Sequence, residues 1–210
     1  MSETYADDPA GLANKASDWI ESLPYNRAWN RPIDPGETAL LVVDMQRYFL
    51  DPTAPAFVPT GRTIIEPIND LIGVVEEHGG TVLYTRHLGN EQGVMEEWWG
   101  GAITDDTWTE LVPELDVQGP VVTKSTYSAF YETGLEDELT GISNLIITGV
   151  MTDVCVATAA RNAFVRGFRP FVVADGTATT TEAAHVATLR ALSHGVAEVT
   201  ECKRIKRTLR

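Results

Sequence analysis

The run from Leu145 to Gly167 reads LIITGVMTDVCVATAARNAFVRG and changes character part-way along. Leu145-Ile146-Ile147-Thr148 is continuously apolar or β-branched, the pattern of a strand buried on both faces. From Asp153 to Arg166, Val156, Ala159, Ala160, Ala163 and Phe164 recur at helical spacing, and Gly167 supplies a stop. A buried strand leading into a helix is half of a βαβ unit, and the same alternation runs outward in both directions. Further strand-like runs are Ala39–Val43, Thr81–Tyr84, Pro120–Thr123, Phe171–Ala174 and a weaker Ala197–Val199. Between them, Ile64–Glu77 carries Ile68, Leu71, Ile72 and Val75 at helical spacing and ends at Gly79-Gly80. Thr181–His194 does the same with Ala184, Ala187, Thr188 and Ala191 and ends at Gly195. Strands alternating with glycine-terminated helices predict an α/β domain with a parallel sheet.

The 210 residues fit one large domain. We place an N-terminal extension over residues 1–35, with one short helix from Pro9 to Leu23, and the α/β domain over residues 36–210. Two loop-rich insertions, Asp51–Gly61 and Gly89–Gly119, follow the first two strands, where long loops usually serve function. A hydrophobic content of 43% and a charged content of 22% are ordinary for a soluble protein. No apolar run approaches the ~18 residues of a membrane helix. The acidic opening MSETYADDPAG lacks the order of a secretory signal, so a cytoplasmic location is expected. Thirty acidic residues against sixteen basic ones leave a formal charge of -14, which opposes nucleic acid and anionic membranes as partners. The surplus fits either a salt-adapted surface or a solubility feature. The basic stretch Lys203–Arg210 reads as a solvated tail or a segment docked on an acidic subunit surface.

In a parallel sheet the ligand crevice lies at the carboxyl ends of the strands. The first strand delivers Asp44, in LLVVDMQ; the third delivers Lys124, in VVTKSTYSAF; and the turn after the fourth delivers Cys155. Each residue has a second reading: Asp44 as a helix cap, Lys124 as a snorkelling stem, Cys155 as a small buried hydrophobe. Lys124 is the only lysine between residues 16 and 202, in a chain with four lysines and twelve arginines. A compact ammonium there is suited to approach a carboxylate and a thiolate together. Thr152 and Asp153 are N-cap types, which would set Cys155 in the first helical turn, where free N–H groups favour a thiolate. Cys155 and Cys202 form no disulfide framework, and His78, His87, His185 and His194 are scattered without metal-ligand spacing. Neither a metal nor a cofactor is expected.

The ordered motifs LLVVDMQRYF, TKSTYSAFYETGL and ITGVMTDVCVATAARNAFVRGF resemble those of the isochorismatase-like cysteine hydrolase superfamily. That superfamily includes nicotinamidases, N-carbamoylsarcosine amidohydrolases and isochorismatase. The resemblance runs from about Thr38 to about Val199, with PINDLI at Pro67–Ile72 and Trp99-Gly100 in support. It implies a three-layer Rossmann-like fold, with a six-stranded, mostly parallel sheet and helices on both faces. It implies an Asp44-Lys124-Cys155 triad, a cis peptide between Val150 and Met151, and an oxyanion hole made by the backbone N–H groups of Met151 and Cys155. The implied reaction is hydrolysis of a small amide, carbamoyl or ureido compound through a thioester, in a homodimer or homotetramer.

The motifs place Phe49, Trp99, Tyr127 and Phe130 either on an apolar pocket wall or in the core. Nicotinamidases carry Asp-x-His just after the second strand. Here that place reads Tyr84-Thr85-Arg86-His87-Leu88, so a metal-dependent nicotinamidase is disfavoured. Arg86 would then pair either with a substrate carboxylate or with Glu91 or Glu96, and His87 reads as a loop residue. Isochorismatase-type vinyl ether hydrolysis needs Asp44 as acid but not Cys155, and a non-catalytic binding member would need none of the three.

Overall fold

The computed structural model describes residues 2–89, 94–101, 103 and 107–210. Each expected apolar run forms a strand: β1 (Thr38–Val43), β2 (Thr81–His87), β3 (Val121–Lys124), β4 (Asn144–Val150), β5 (Arg169–Ala178) and β6 (Glu198–Thr200). They make one sheet in the order β3-β2-β1-β4-β5-β6, and every neighbouring pair is parallel. The central strands β1 and β4 are buried along their whole length, as their unbroken aliphatic runs require. The order reverses direction between β1 and β4, and a crevice opens at such a switch point.

The helices are α1 (Pro9–Glu21), α2 (Arg47–Leu50), α3 (Ile65–Glu77), α4 (Val94–Trp99), α5 (Leu135–Glu138), α6 (Ala157–Val165), α7 (Glu182–Gly195) and α8 (Cys202–Leu209). On one face α3 buries Ile65, Ile68, Leu71, Ile72, Val74 and Val75, and α8 packs beside it. Each such side chain contributes roughly 1.5–3 kcal/mol on leaving water. On the other face lie α6 and α7, together with α1 from the N-terminal extension. α1 starts at Asp8, whose side chain accepts from the Gly11 N–H at 2.9 Å, with proline as first helical residue. Leu12, Ala16 and Trp19 then face the core, and the Trp19 indole donates to Glu182 on α7 at 3.0 Å.

Three helix faces differ from expectation. α7 buries His185, Leu189, Leu192 and Ser193 and leaves Ala187 and Ala191 exposed, because its larger aliphatic residues set the packed stripe. On α6 the expected alanines are buried but Phe164 is partly exposed. The basic C-terminal stretch is no solvated tail. It is α8, which buries Cys202, Ile205 and Leu209 and is anchored where the Cys202 N–H donates to the buried Asp175 carboxylate at 2.8 Å. Its charges pair with this chain's own acids, Arg204 with Glu198 at 2.7 Å and Lys206 with Asp70 at 2.8 Å. Among the described residues, no helix is long and apolar enough to cross a membrane.

Candidate active site

Asp44 follows the last residue of β1 with a positive φ of 50°. Its backbone N–H is held by the Thr85 carbonyl (3.2 Å) and hydroxyl (3.1 Å), and the Thr85 hydroxyl donates to Oδ1 at 2.6 Å. The second carboxylate oxygen lies 2.8 Å from Lys124 Nζ, with both side chains fully buried. Lys124 is the last residue of β3, in register with His87 at the end of β2. Its stem crosses β2 to reach the end of β1. The ammonium also donates to the Thr126 carbonyl at 3.0 Å and lies 3.3 Å from His87 Nδ1 and 3.5 Å from Cys155 Sγ. Four acceptors therefore share three N–H bonds, and Cys155 and His87 compete for the third.

Cys155 arrives through the turn after β4. Gly149 adopts φ +104°, and a Cβ there would lie 2.0 Å from the Val43 carbonyl oxygen, so only glycine lets β4 pass β1 at this point. The Val150–Met151 peptide bond is cis. The next residues, Thr152–Val156, make a wide π-type turn in which the Val156 N–H reaches the Met151 carbonyl at 3.2 Å. Neither Thr152 nor Asp153 caps the helix as expected. The Thr152 hydroxyl pairs with Nδ1 of the buried His185 at 2.9 Å, and Asp153 accepts from the Thr179 hydroxyl. Both side chains are drawn to long-range partners, and Cys155 precedes α6 rather than lying in its first turn.

The electrostatics run against the expectation that the surroundings of Cys155 favour a thiolate. Burial first, and the Asp44 carboxylate second, push the Cys155 thiol well above its ordinary range, and the Lys124 ammonium only partly opposes them. Burial works against the Lys124 ammonium, but Asp44 and Cys155 more than offset it, so its pKa is raised. His87 is lowered to about 4 by burial and then by Lys124, which keeps the ring neutral and able to accept.

Cys155 and His87 line the floor of a cavity of about 300 Å³, with the fully buried Lys124 and Asp44 paired behind them. Of the expected wall residues, Phe49, Trp99 and Tyr127 line it, and the Trp99 indole donates to the Tyr127 hydroxyl at 2.6 Å. Arg86 and Phe130 do not line it. β2 runs on to His87, so Thr85 and His87 share the face toward the site and Arg86 points away, its guanidinium 3.4 Å from Thr123 Oγ1. Phe130 is core, packed on Phe168 with the Arg166 guanidinium over its ring. Glu91, a suggested partner of Arg86, lies outside the described residues.

The sequence reading passed over several participants. His87 is buried in the site rather than in a loop. Gln46 ties the strand ends together by donating to the His87 and Thr109 carbonyls and accepting from the His87 N–H at 2.7 Å. Tyr48, Glu96, Tyr131 and Glu132 complete the wall. Strand parity from Thr85 onward would have found His87; the wall residues carry no local signal.

Asp44, His87 and Cys155 are, among the described residues, the group whose ligand atoms come within 4.8 Å of one another. The Lys124 ammonium already lies 2.8–3.5 Å from all three, where a cation would sit, so the set does not fit a metal as well.

The isochorismatase domain profile matches residues 38–204. The chain belongs to the isochorismatase family. It is 37% identical over 182 residues to nicotinamidase 3 of Arabidopsis thaliana, an alignment spanning 81% of this chain and 88% of that one. The structure is similar to a cysteine hydrolase from Pseudomonas syringae pv. phaseolicola, with a TM-score of 0.82 at 27% identity, covering 90% of this chain and 98% of the other. It also resembles N-carbamoylsarcosine amidase from Thermoplasma acidophilum, with a TM-score of 0.70 at 26% identity, covering 79% and 96%. The chain is thus an isochorismatase-family hydrolase, and two of these relatives are named as a nicotinamidase and an N-carbamoylsarcosine amidase.

Proposed function

We propose that this isochorismatase-family hydrolase cleaves a small amide, carbamoyl or ureido compound through a thioester on Cys155. The observation that carries this reading is one buried ammonium, Lys124, in contact with both the Asp44 carboxylate and the sulfur of Cys155, which lines the cavity. A proton acceptor and a nucleophile held by a common cation are the parts that covalent catalysis requires.

The raised thiol supports one order of events. With its thiol pushed up by burial and by Asp44, Cys155 attacks the carbonyl carbon as Asp44 takes its proton. The negative charge leaves the carboxylate and appears on the tetrahedral oxygen. Lys124 stays charged throughout and limits the cost of moving that charge. The backbone N–H groups of Met151 and Cys155 donate to the oxyanion, each such donor being worth on the order of 10²–10³ in rate. Asp44 then returns its proton to the departing ammonia or amine, leaving an acyl-thioester. Water, deprotonated by Asp44, attacks the thioester, and the thiol regains its proton. The enzyme returns to its starting state, and one C–N bond has been exchanged for C–O.

An ammonia-release assay over primary amides and ureido acids tests the reading. Cys155→Ala is expected to abolish turnover while its circular dichroism and melting curve remain native-like. Retention of turnover would move the chemistry to Asp44 acting alone, as in vinyl ether hydrolysis.

A further inference from the structure

The cavity that ends at Cys155 has walls of one charge. From His87 to Ala160 the sequence contains thirteen aspartates and glutamates, while Lys124 is its only lysine or arginine. Two of those acids, Glu96 on α4 and Glu132 after Tyr131, line the cavity. Among the described residues, no lysine or arginine lines it, since Lys124 sits behind the floor paired with Asp44, and Arg86 faces away. Five aromatic side chains, Tyr48, Phe49, Trp99, Tyr127 and Tyr131, share the wall with neutral residues such as Met95 and Ile103. Glu132 holds a positive φ of 53°, and Asp44, buried behind the cavity floor, is the other non-glycine residue with positive φ among those described.

An anionic substrate would find no counter-charge here and would meet two carboxylates on entry. A cation meets the reverse. Ring faces attract cations within about 6 Å of the centroid, most strongly when water is excluded, and flanking carboxylates add to that attraction. We infer that the site selects a substrate that is itself a cation: a small amide or ureido compound whose non-reacting end carries an ammonium or pyridinium. That end lodges between the aromatic wall and the carboxylates of Glu96 and Glu132, while the carbonyl reaches Cys155. The inference rests on the proposed amide hydrolysis and names its substrate class.

Three amides of closely matched size separate the possibilities. Trimethylammonioacetamide is the cation, 3,3-dimethylbutanamide is its neutral isostere with a carbon in place of the nitrogen, and succinamic acid is the anion. Binding is read by calorimetry on Cys155→Ala, which needs no turnover, and kcat/KM is read on the wild type. The cation is expected to bind at least about tenfold more tightly than the neutral isostere and the anion most weakly. The cation preference should shrink as salt is raised. The Glu96→Gln/Glu132→Gln variant should bring the ratio toward one, with its melting temperature close to wild type.

Equal or tighter binding of the neutral or anionic amide would overturn the inference. So would a ratio unchanged in the double glutamine variant. Selective binding of the cation with no hydrolysis of any amide would leave charge selection standing and count against the hydrolase reading. Hydrolysis of all three without preference would do the opposite.

Discussion

The floor and the mouth of the cavity are built by different means. At and just behind the floor, Cys155, Asp44 and Lys124 are 4%, 0% and 2% exposed; Asp44 and Lys124 stand at the ends of β1 and β3, whose pairing with β2 fixes them, and Cys155 in the turn after β4. At the mouth, Trp99 and Tyr131 are 55% and 54% exposed and belong to α4 and to the loop after β3. Rigid strand ends and the turn packed against them can hold a carboxylate, an ammonium and a thiol within about 0.5 Å of a working arrangement. Loops can vary without disturbing that arrangement. The comparison therefore assigns reaction type to the floor and substrate choice to the mouth.

The largest expected effect follows from cutting the floor. Lys124→Met leaves the Asp44 carboxylate buried without a counter-charge, and breaking such a pair costs about 3–5 kcal/mol. Denaturant unfolding should register that loss, and turnover should vanish. Adding Asp44→Asn should recover much of the stability and none of the activity. A single variant of wild-type stability would mean that the pair contributes little to holding the floor together.

A smaller effect separates proton acceptor from electrostatic neighbour. Because burial and Asp44 both raise the Cys155 thiol, alkylation by iodoacetamide should be slow near neutral pH and accelerate above pH 9, toward the raised pKa. Removing the Asp44 charge removes one raising influence. Asp44→Asn should therefore alkylate faster at a given pH than wild type, yet hydrolyse no amide. Rapid, pH-independent alkylation of the wild type near pH 7 would indicate a resting thiolate instead.

The mouth should yield the smallest change. Tyr127→Phe deletes the acceptor of the Trp99 indole at a partly exposed position, where a hydrogen bond is worth about 0.5–1.5 kcal/mol. KM should rise roughly twofold to tenfold on that basis, with kcat nearly unchanged. A loss confined to kcat would place Tyr127 in the chemistry and blur the division between floor and mouth.

The same division explains what could be read from the sequence. The strands announced themselves because those buried on both faces need continuous Val, Leu and Ile. Asp44, just past β1, and Lys124, the last residue of β3, were then visible as polar groups at fixed places. Arg86 was misplaced as a pocket residue because β2 runs three residues beyond Tyr84, and one step along a strand exchanges faces. Phe130 and Tyr131 are neighbours in sequence, yet the first packs on Phe168 and the second lines the cavity, which only the path of the chain decides. α8 was read as a tail because its helix start is capped by Asp175, a residue distant in sequence, and its buried positions are only three. Thr152 and Asp153 looked like caps for the same reason: their partners, His185 and Thr179, are supplied by other elements.

The central claim is that Cys155 carries the acyl group, and mass spectrometry of the intact protein, quenched in acid during turnover of a hydrolysed amide, tests it most directly. The expected result is a transient mass increase equal to the acyl moiety, mapped to the peptide containing Cys155 and absent from Cys155→Ala. Steady turnover with no adduct on the wild type, together with undiminished turnover by Cys155→Ala, would contradict the account.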